Sequence, residues 1–566
     1  MKQIISFFIF YLFLLNINSN AQNCLSSGIT FYMQSQIDNF NTNYPECTEI
    51  LGSITISGNS INNLQGLSQI ESIQGDLILN SNSITNLNGL NNLKTIGQSL
   101  EIEDNTSLLS LEGLDALDSL GNSIIIDNVT FSSIAGLNSL INIGGSLEII
   151  NNENLTHFYG FNNLDSIGGD IKITNNSSLV DFKGIGKLTT ISGDFNISSN
   201  SSLVNFTGFD SLTNIYGEAN ISNNQVLMSM VGLGSLERVH ESFSVQHNDG
   251  LKNFSGMNSL SSVGTLYYHT FEIARNNALL NMEGLEGLTN VLTLRINGNN
   301  SLEDLEGLNN LSEISRLFNF WGTPLTNFKG LDNLITIGNV HLASNDSLLN
   351  FVGLENLETI TGEFAVTSSS LVDFTGLDNL TSIGSLYIDF CEKLVDFKGL
   401  ESLTNLNNGT ITIQYDMDSL SSLNGMDNID YTTMGRVTIT SSPNLSFCSV
   451  NSFCNLFSDP NLSYTLRNNA VGCNNRQEII DNCGQLSVEN YEAIRFKLFP
   501  NPANLYFNIK TELIINKVKI YSILGNLVKE FESSQDKYSV SDLNRGVYFV
   551  KIDTEIGTQI VKIMKN

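Results

Sequence analysis

Basic residues are scarce in this 566-residue chain: 27 Lys+Arg stand against 57 Asp+Glu, a formal net charge of −30. Nucleic acid and anionic membranes would both be repelled, so neither is expected as a partner. Histidine is scarcer still. His157, His240, His247, His269 and His341 share no motif, and no HExxH, GxSxG, P-loop or EF-hand loop occurs. Catalysis needs converging groups, and the carboxylates here are spread along the chain as a solvated face would spread them. No catalytic residue, metal or cofactor is expected. Long apolar runs are missing after the first, Ile4 to Leu15, which is short for a bilayer span. With Lys2 before it and Ser19 and Ala21 after it, residues 1–21 read as a secretory signal cleaved after Ala21.

Cysteines number seven, which suits an oxidising compartment. Cys24 and Cys47 bracket a segment before the repeats, and Cys448, Cys454, Cys473 and Cys483 cluster after them. Disulfides are expected for all six. The last four allow three pairings, among which the sequence does not choose. Zinc is excluded by spacings unlike CxxC and by the lack of any histidine beyond His341.

What the chain has in abundance is itself. "SIGGDIKITNNSSLVDFKGI" (166–185) is followed by "TISGDFNISSNSSLVNFTGF" (190–209), 24 residues on. A glycine followed by an apolar residue recurs sixteen times from Gly66 to Gly425, at steps of 23 or 24 except for one of 28 and one of 26. Such a period marks a solenoid, in which each unit is one coil that cannot bury its apolar face without its neighbours. Within a coil, Leu100 and Ile102 alternate with Glu101 and Glu103, the pattern of a strand with one buried face. No window supports a long amphipathic helix. The recurring "IGG" pairs are expected at corners, permitting φ > 0 or close packing.

After the strand, asparagine recurs at one place, as at Asn59, Asn82, Asn105, Asn128, Asn152, Asn176, Asn200, Asn224, Asn248, Asn276, Asn299 and Asn345. A buried amide there would bond the backbone of adjacent coils as a ladder. Cys391 holds the same place in its coil and is expected to be a buried structural thiol.

The pattern LxxI…LxIxxNxxLxxLxGL resembles the leucine-rich, receptor L-domain-like repeats of secreted bacterial surface proteins, over roughly residues 49–445. The resemblance implies a mainly β fold, a right-handed leucine-rich-repeat-like β-solenoid of about sixteen coils. Residues 22–48 would form an N-terminal cap and 446–484 a Cys-rich C-terminal cap. Such repeats serve many ligands, so fold alone does not name one.

Beyond a linker at 485–494 the texture changes. Residues 495–566 carry 11 Lys+Arg against 7 Asp+Glu, while the rest of the chain carries 16 against 50. Alternating apolar stretches with Gly and Asn turns predict a small β-sandwich. Pro500, Asn501, Pro502, Gly525, Leu543, Gly546, Tyr548, Lys551 and Lys562 stand in an order similar to the C-terminal sorting domain of type IX secretion cargo in Bacteroidota. That resemblance implies passage through the periplasm, export by the type IX machinery and processing by a sortase-type protease. The product would be released or held at the cell surface.

Outward strand positions vary from coil to coil: Glu101, Glu148, Lys172, Asn196, Asn220, Ser244, Glu272, Arg295, Phe318, His341 and Tyr387. An ice-binding solenoid would repeat one residue, so that function is excluded. One coil breaks the pattern. "RLFNFWGTPL" places Phe318, Phe320 and the sole tryptophan, Trp321, near Arg295, His341 and Tyr387, with Gly322 at the ladder position. Exposed rings among polar groups suit a glycan or protein ligand. These six residues are the candidate binding site; the competing reading has the rings repacking an irregular core. Upstream, "TLYYHTF" (265–271) adds Tyr267 and Tyr268 in a four-residue insertion. The expected function is non-catalytic recognition or adhesion at the cell surface. The alternative is a β-helical polysaccharide-degrading enzyme with its site assembled across coils.

Overall fold

The computed structural model describes residues 22–485 and 497–566, except 512, 533, 555 and 556. The expected signal peptide and residues 486–494 of the expected linker lie outside them. Two compact units result, divided after Cys483.

In the first unit every winding lays one strand on a broad parallel sheet, from Ile29–Phe31 and Ile54–Ser57 to Met434–Ser442 and Ser463–Asn469. Nineteen strands follow one another, rather than sixteen, because windings lie on both sides of the glycine-marked series. Register is kept coil to coil: Ile171 pairs with Phe195, Lys172 with Asn196, Ile173 with Ile197. Period-2 alternation turns Ile171 and Ile173 inward and Lys172 outward. A narrow parallel ladder forms a second wall, as in Ser166–Ile167 pairing with Thr190–Ile191. From Asn290 to Asp389 the two walls run together in single strands, the longest being Thr359–Ser369.

Glycine takes two roles. Gly184 has φ +113°, and a Cβ there would sit 2.2 Å from the Phe158 carbonyl oxygen of the previous coil. The corner glycines instead serve close packing: a Cβ on Gly168 would lie 2.3 Å from the Gly144 oxygen, at ordinary φ. Inside, phenylalanines stack along the coils, Phe328, Phe351, Phe374 and Phe397 with centroids 5.4 to 5.7 Å apart.

The asparagine ladder is present and is buried at ten of its twelve expected positions, from Asn82 to Asn345. Asn200 Nδ2 donates to Ile173 O at 2.9 Å, and its Oδ1 accepts the N–H of Asn176 at 3.0 Å. Three positions differ from expectation. Asn59 is exposed. Asn128 occupies the left-handed turn residue one place earlier (φ 53°), and the buried Val129 holds the ladder position, its N–H donating to Asn152 Oδ1. Likewise Gly322 is the turn residue, and Thr323 fills the ladder, bonding Asn345 Oδ1. A second ladder runs at the strand entrance, unforeseen from sequence: Ser146 Oγ accepts the N–H of Asp170, and Asp170 Oδ1 that of Asp194, at 2.9 and 2.8 Å.

Disulfides join Cys24–Cys47, Cys448–Cys473 and Cys454–Cys483, resolving the pairing. Cys391 is buried and free. Its Sγ donates toward Val366 O at 3.8 Å, the carbonyl an asparagine amide would take there.

The second unit contains a three-stranded antiparallel sheet (Lys497–Phe499, Tyr506–Lys510, Tyr538–Ser539) and a four-stranded one. In the latter, Leu527–Phe531, Ile515–Ser522, Gly546–Thr554 and Gly557–Lys565 lie in that order. Phe507, Val518, Ile520, Tyr538, Val550 and Ile552 form its core.

Candidate binding depression

The fused strands of residues 290–389 present two adjacent outward rows, which hold four of the six candidate residues. One row reads Arg295, Asn319, His341, Ala365, Tyr387; the next reads Asn297, Trp321, Ala343, Thr367, Asp389. Alanine interrupts both rows, so the face dips between bulkier neighbours. An open depression of about 400 Å3 results, lined by Asn319, His341, Ala343, Glu363, Ala365, Thr367 and Tyr387. Trp321 is Ala343's register partner at the edge and is 45% exposed. Three coil steps of ~4.8 Å put Trp321 about 14 Å from Asp389.

Two proposed members do not reach this surface. Phe318 is 1% exposed and Phe320 0%, because the outward register falls one residue later, on Asn319. Their rings pack on Phe328 at 5.9 and 5.5 Å. The core-repacking reading holds for these two and fails for Trp321. Arg295 lies one coil before Asn319, beyond the lining residues. Tyr267 and Tyr268 are exposed on a loop held by buried His269, whose Nδ1 accepts the Thr265 and Leu266 N–H groups; they do not line the depression.

Polar groups order the walls. His341 Nε2 lies 3.2 Å from Glu363 Oε2. Tyr387 OH donates to Asp389 Oδ2 at 2.9 Å and accepts from Gln414 Nε2 at 2.9 Å. Burial raises Asp389 above the ordinary carboxylate range, although the Tyr387 bond works the other way. Tyr387 is raised too, first by burial and then by that bond. Asn319, Glu363, Thr367, Asp389 and Gln414 were not singled out from sequence. A register count from the preceding coil would have found Asn319, but the alanines carry no chemical signal of their own.

Elsewhere, His157 Nδ1 pairs with Asp181 Oδ1 at 2.6 Å, and Ser133 is in backbone register with His157. This Ser–His–Asp column has a structural origin. The same position in other coils caps a turn: Asn205, Asp304 and Asp373 side chains accept the N–H two residues on. Asp181 does likewise for Lys183 N–H and also pairs with Lys183 Nζ at 2.7 Å. Burial opposes its charge, but the Lys183 and His157 bonds prevail and hold it below the usual range. No hydrogen bond joins Ser133 to His157, and the depression lies several coils away. Among the described residues, no three His, Cys, Asp or Glu side chains group to hold a metal, and no helix is long and apolar enough to cross a membrane.

Sorting-motif residues are built into the second unit. Asn501 Oδ1 accepts the Met564 N–H at 2.8 Å and its Nδ2 donates to Lys562 O at 3.2 Å. Gly525 turns at φ +79°, Leu543 packs on the core, and Tyr548 OH donates to Asn544 O at 2.9 Å.

Stacked parallel coils with buried side-chain ladders and a varied outer face define a leucine-rich, receptor L-domain-like β-solenoid. Residues 46–129 match the Receptor L domain family, and residues 497–566 are a Secretion system C-terminal sorting domain. The chain is therefore a cargo of type IX secretion, exported to the cell surface or beyond. Among solved structures, the TLR13–ssRNA13 complex is similar at 15% identity and a TM-score of 0.20, over 74% of this chain and 85% of that one. No curated protein matches the chain.

Proposed function

We propose that this protein is a non-catalytic recognition or adhesion module of the cell surface that binds a glycan or protein ligand between Trp321 and Tyr387. One observation supports the reading above the rest: the only tryptophan of the chain is exposed beside alanine-floored space. Its partners in export are the type IX machinery and a sortase-type protease that removes the sorting domain.

A single tryptophan also supplies the assay. Its emission should shift when a glycan or protein from the cell surface binds the full-length protein, and Trp321→Ala should abolish affinity while leaving the fold intact. A folded Trp321→Ala protein with undiminished binding excludes the depression. Release of shortened saccharides during the titration would favour the degrading-enzyme alternative.

A further inference from the structure

From the strand Leu77–Asn80 onward, the turn residue at the end of each broad-sheet strand has positive φ, and most coils place Asn, Ser, Asp or Gly there. Those residues tolerate the left-handed region; a bulky side chain there costs roughly 1–2 kcal/mol. Four coils break the rule: His247 (φ 56°) and Arg275 (φ 54°) in one consecutive pair, and Phe390 (φ 49°) and Tyr415 (φ 53°) in another, where both side chains are benzene-type rings. Their rings stack at 5.4 Å and 15°. Both remain open to water, 43% and 48% exposed. The pair contributes little core burial, and asparagine at either site would relieve backbone strain. Strain retained without a folding gain is a mark of function.

Their neighbours indicate what would bind. Phe390 follows Asp389 and Tyr415 follows Gln414, so the platform adjoins the Tyr387–Asp389–Gln414 network at the far edge of the depression. Asp389 is 7% exposed, and its Oδ1 has no hydrogen-bond partner among the described residues. Ring faces beside directional acceptors and donors fit a sugar, whose C–H face stacks while its hydroxyls bond. Asp389, Glu392 and Asp416 outnumber Lys393 in the turns that carry the two rings, a net negative charge that disfavours uronic or sulfated sugars.

We propose that Phe390 and Tyr415 form a stacking platform for a pyranose ring, extending the depression into a site for an uncharged oligosaccharide. This deepens, and rests on, the assignment of the depression as a binding site. The test is calorimetric titration of the full-length protein and of its Phe390→Asn, Tyr415→Asn and Trp321→Ala variants. Cellohexaose, xylohexaose, laminarihexaose and chitohexaose serve as uncharged probes, with polygalacturonate as the anionic one and thermal midpoints measured alongside. The expected result is binding of at least one uncharged hexasaccharide, a loss of ~tenfold or more in affinity for each asparagine variant, and midpoints unchanged or raised.

Lowered midpoints with unchanged affinity would show that the rings serve the fold, and overturn the platform. Loss only in Trp321→Ala would leave the depression standing without it. Binding of polygalacturonate alone would overturn the assignment of an uncharged sugar, and binding of none of the probes would overturn the saccharide assignment altogether.

Discussion

The backbone N–H of Asn176 donates to the side-chain oxygen of Asn200, one coil away, at 3.0 Å. Asn200 Nδ2 also reaches back to Ile173 O. One amide thus closes two backbone groups that no water can reach. Replacing Asn200 with alanine should orphan both, at ~1–3 kcal/mol for each. Because coils are stabilised by their nearest neighbours, the damage should be local. Hydrogen exchange at the Asn176 amide should quicken by at least ~30-fold, while amides beyond three coils change little. Uniform quickening along the solenoid would show that the ladder acts through global stability instead.

Cys391 tests the same ladder from the other side. Burial pushes its thiol up to about 12, so almost no thiolate exists at neutral pH. Native protein should resist thiol reagents at pH 8 and react with one equivalent once unfolded. Asparagine at this place can donate to Val366 O in the manner of its neighbours. Cys391→Asn should therefore keep the native unfolding midpoint within ~0.5 kcal/mol or raise it, whereas Cys391→Asp should lower it by burying a charge.

The coil repeat, its inward strand positions and most of the asparagine ladder could be read directly from the sequence, since each rests on local periodicity. Errors arose where one residue separates two columns. Asn128 and Gly322 occupy the left-handed turn, and Val129 and Thr323 the ladder, because asparagine suits both places chemically. The same one-residue slip put Phe318 on the outer face. The depression is harder to foresee: Ala343 and Ala365 matter only because Trp321, His341 and Tyr387 are their cross-strand neighbours, a relation between coils rather than within one.

Two buried carboxylates should tilt the stability profile in opposite senses. Asp181 is lowered by Lys183 and His157, so the folded state gains from its charge above the unfolded value near ~3.9. That gain disappears as pH falls through its folded pKa. Asp389 is raised by burial, so its charge opposes folding at neutral pH, and stability recovers as pH falls through its raised value. Urea midpoints of Asp181→Asn should fall below wild type at pH 7 and converge with it in acid. Those of Asp389→Asn should lie at or above wild type at pH 7, the gap closing toward pH 4. Parallel curves for either variant would mean that the carboxylate is not the titrating group.

In the sorting domain, Asn501 holds the last strand by bonding both Lys562 O and Met564 N–H. Ala503 continues the contact, donating to Met564 O at 2.7 Å. The motif asparagine therefore fixes the C-terminal strand on which Lys562 is displayed. Deleting residues 495–566 should trap the protein in the periplasm, because the export signal is gone while the solenoid keeps its own core and disulfides. Asn501→Ala should give a partial defect, loosening the final strand without removing it, and Asn501→Asp should retain only the Met564 bond. Immunoblots of periplasm, cell surface and medium, compared at equal expression, decide the matter. Normal surface display of the deletion would contradict type IX export through this domain, and full export of Asn501→Ala would show that the strand needs no such clamp.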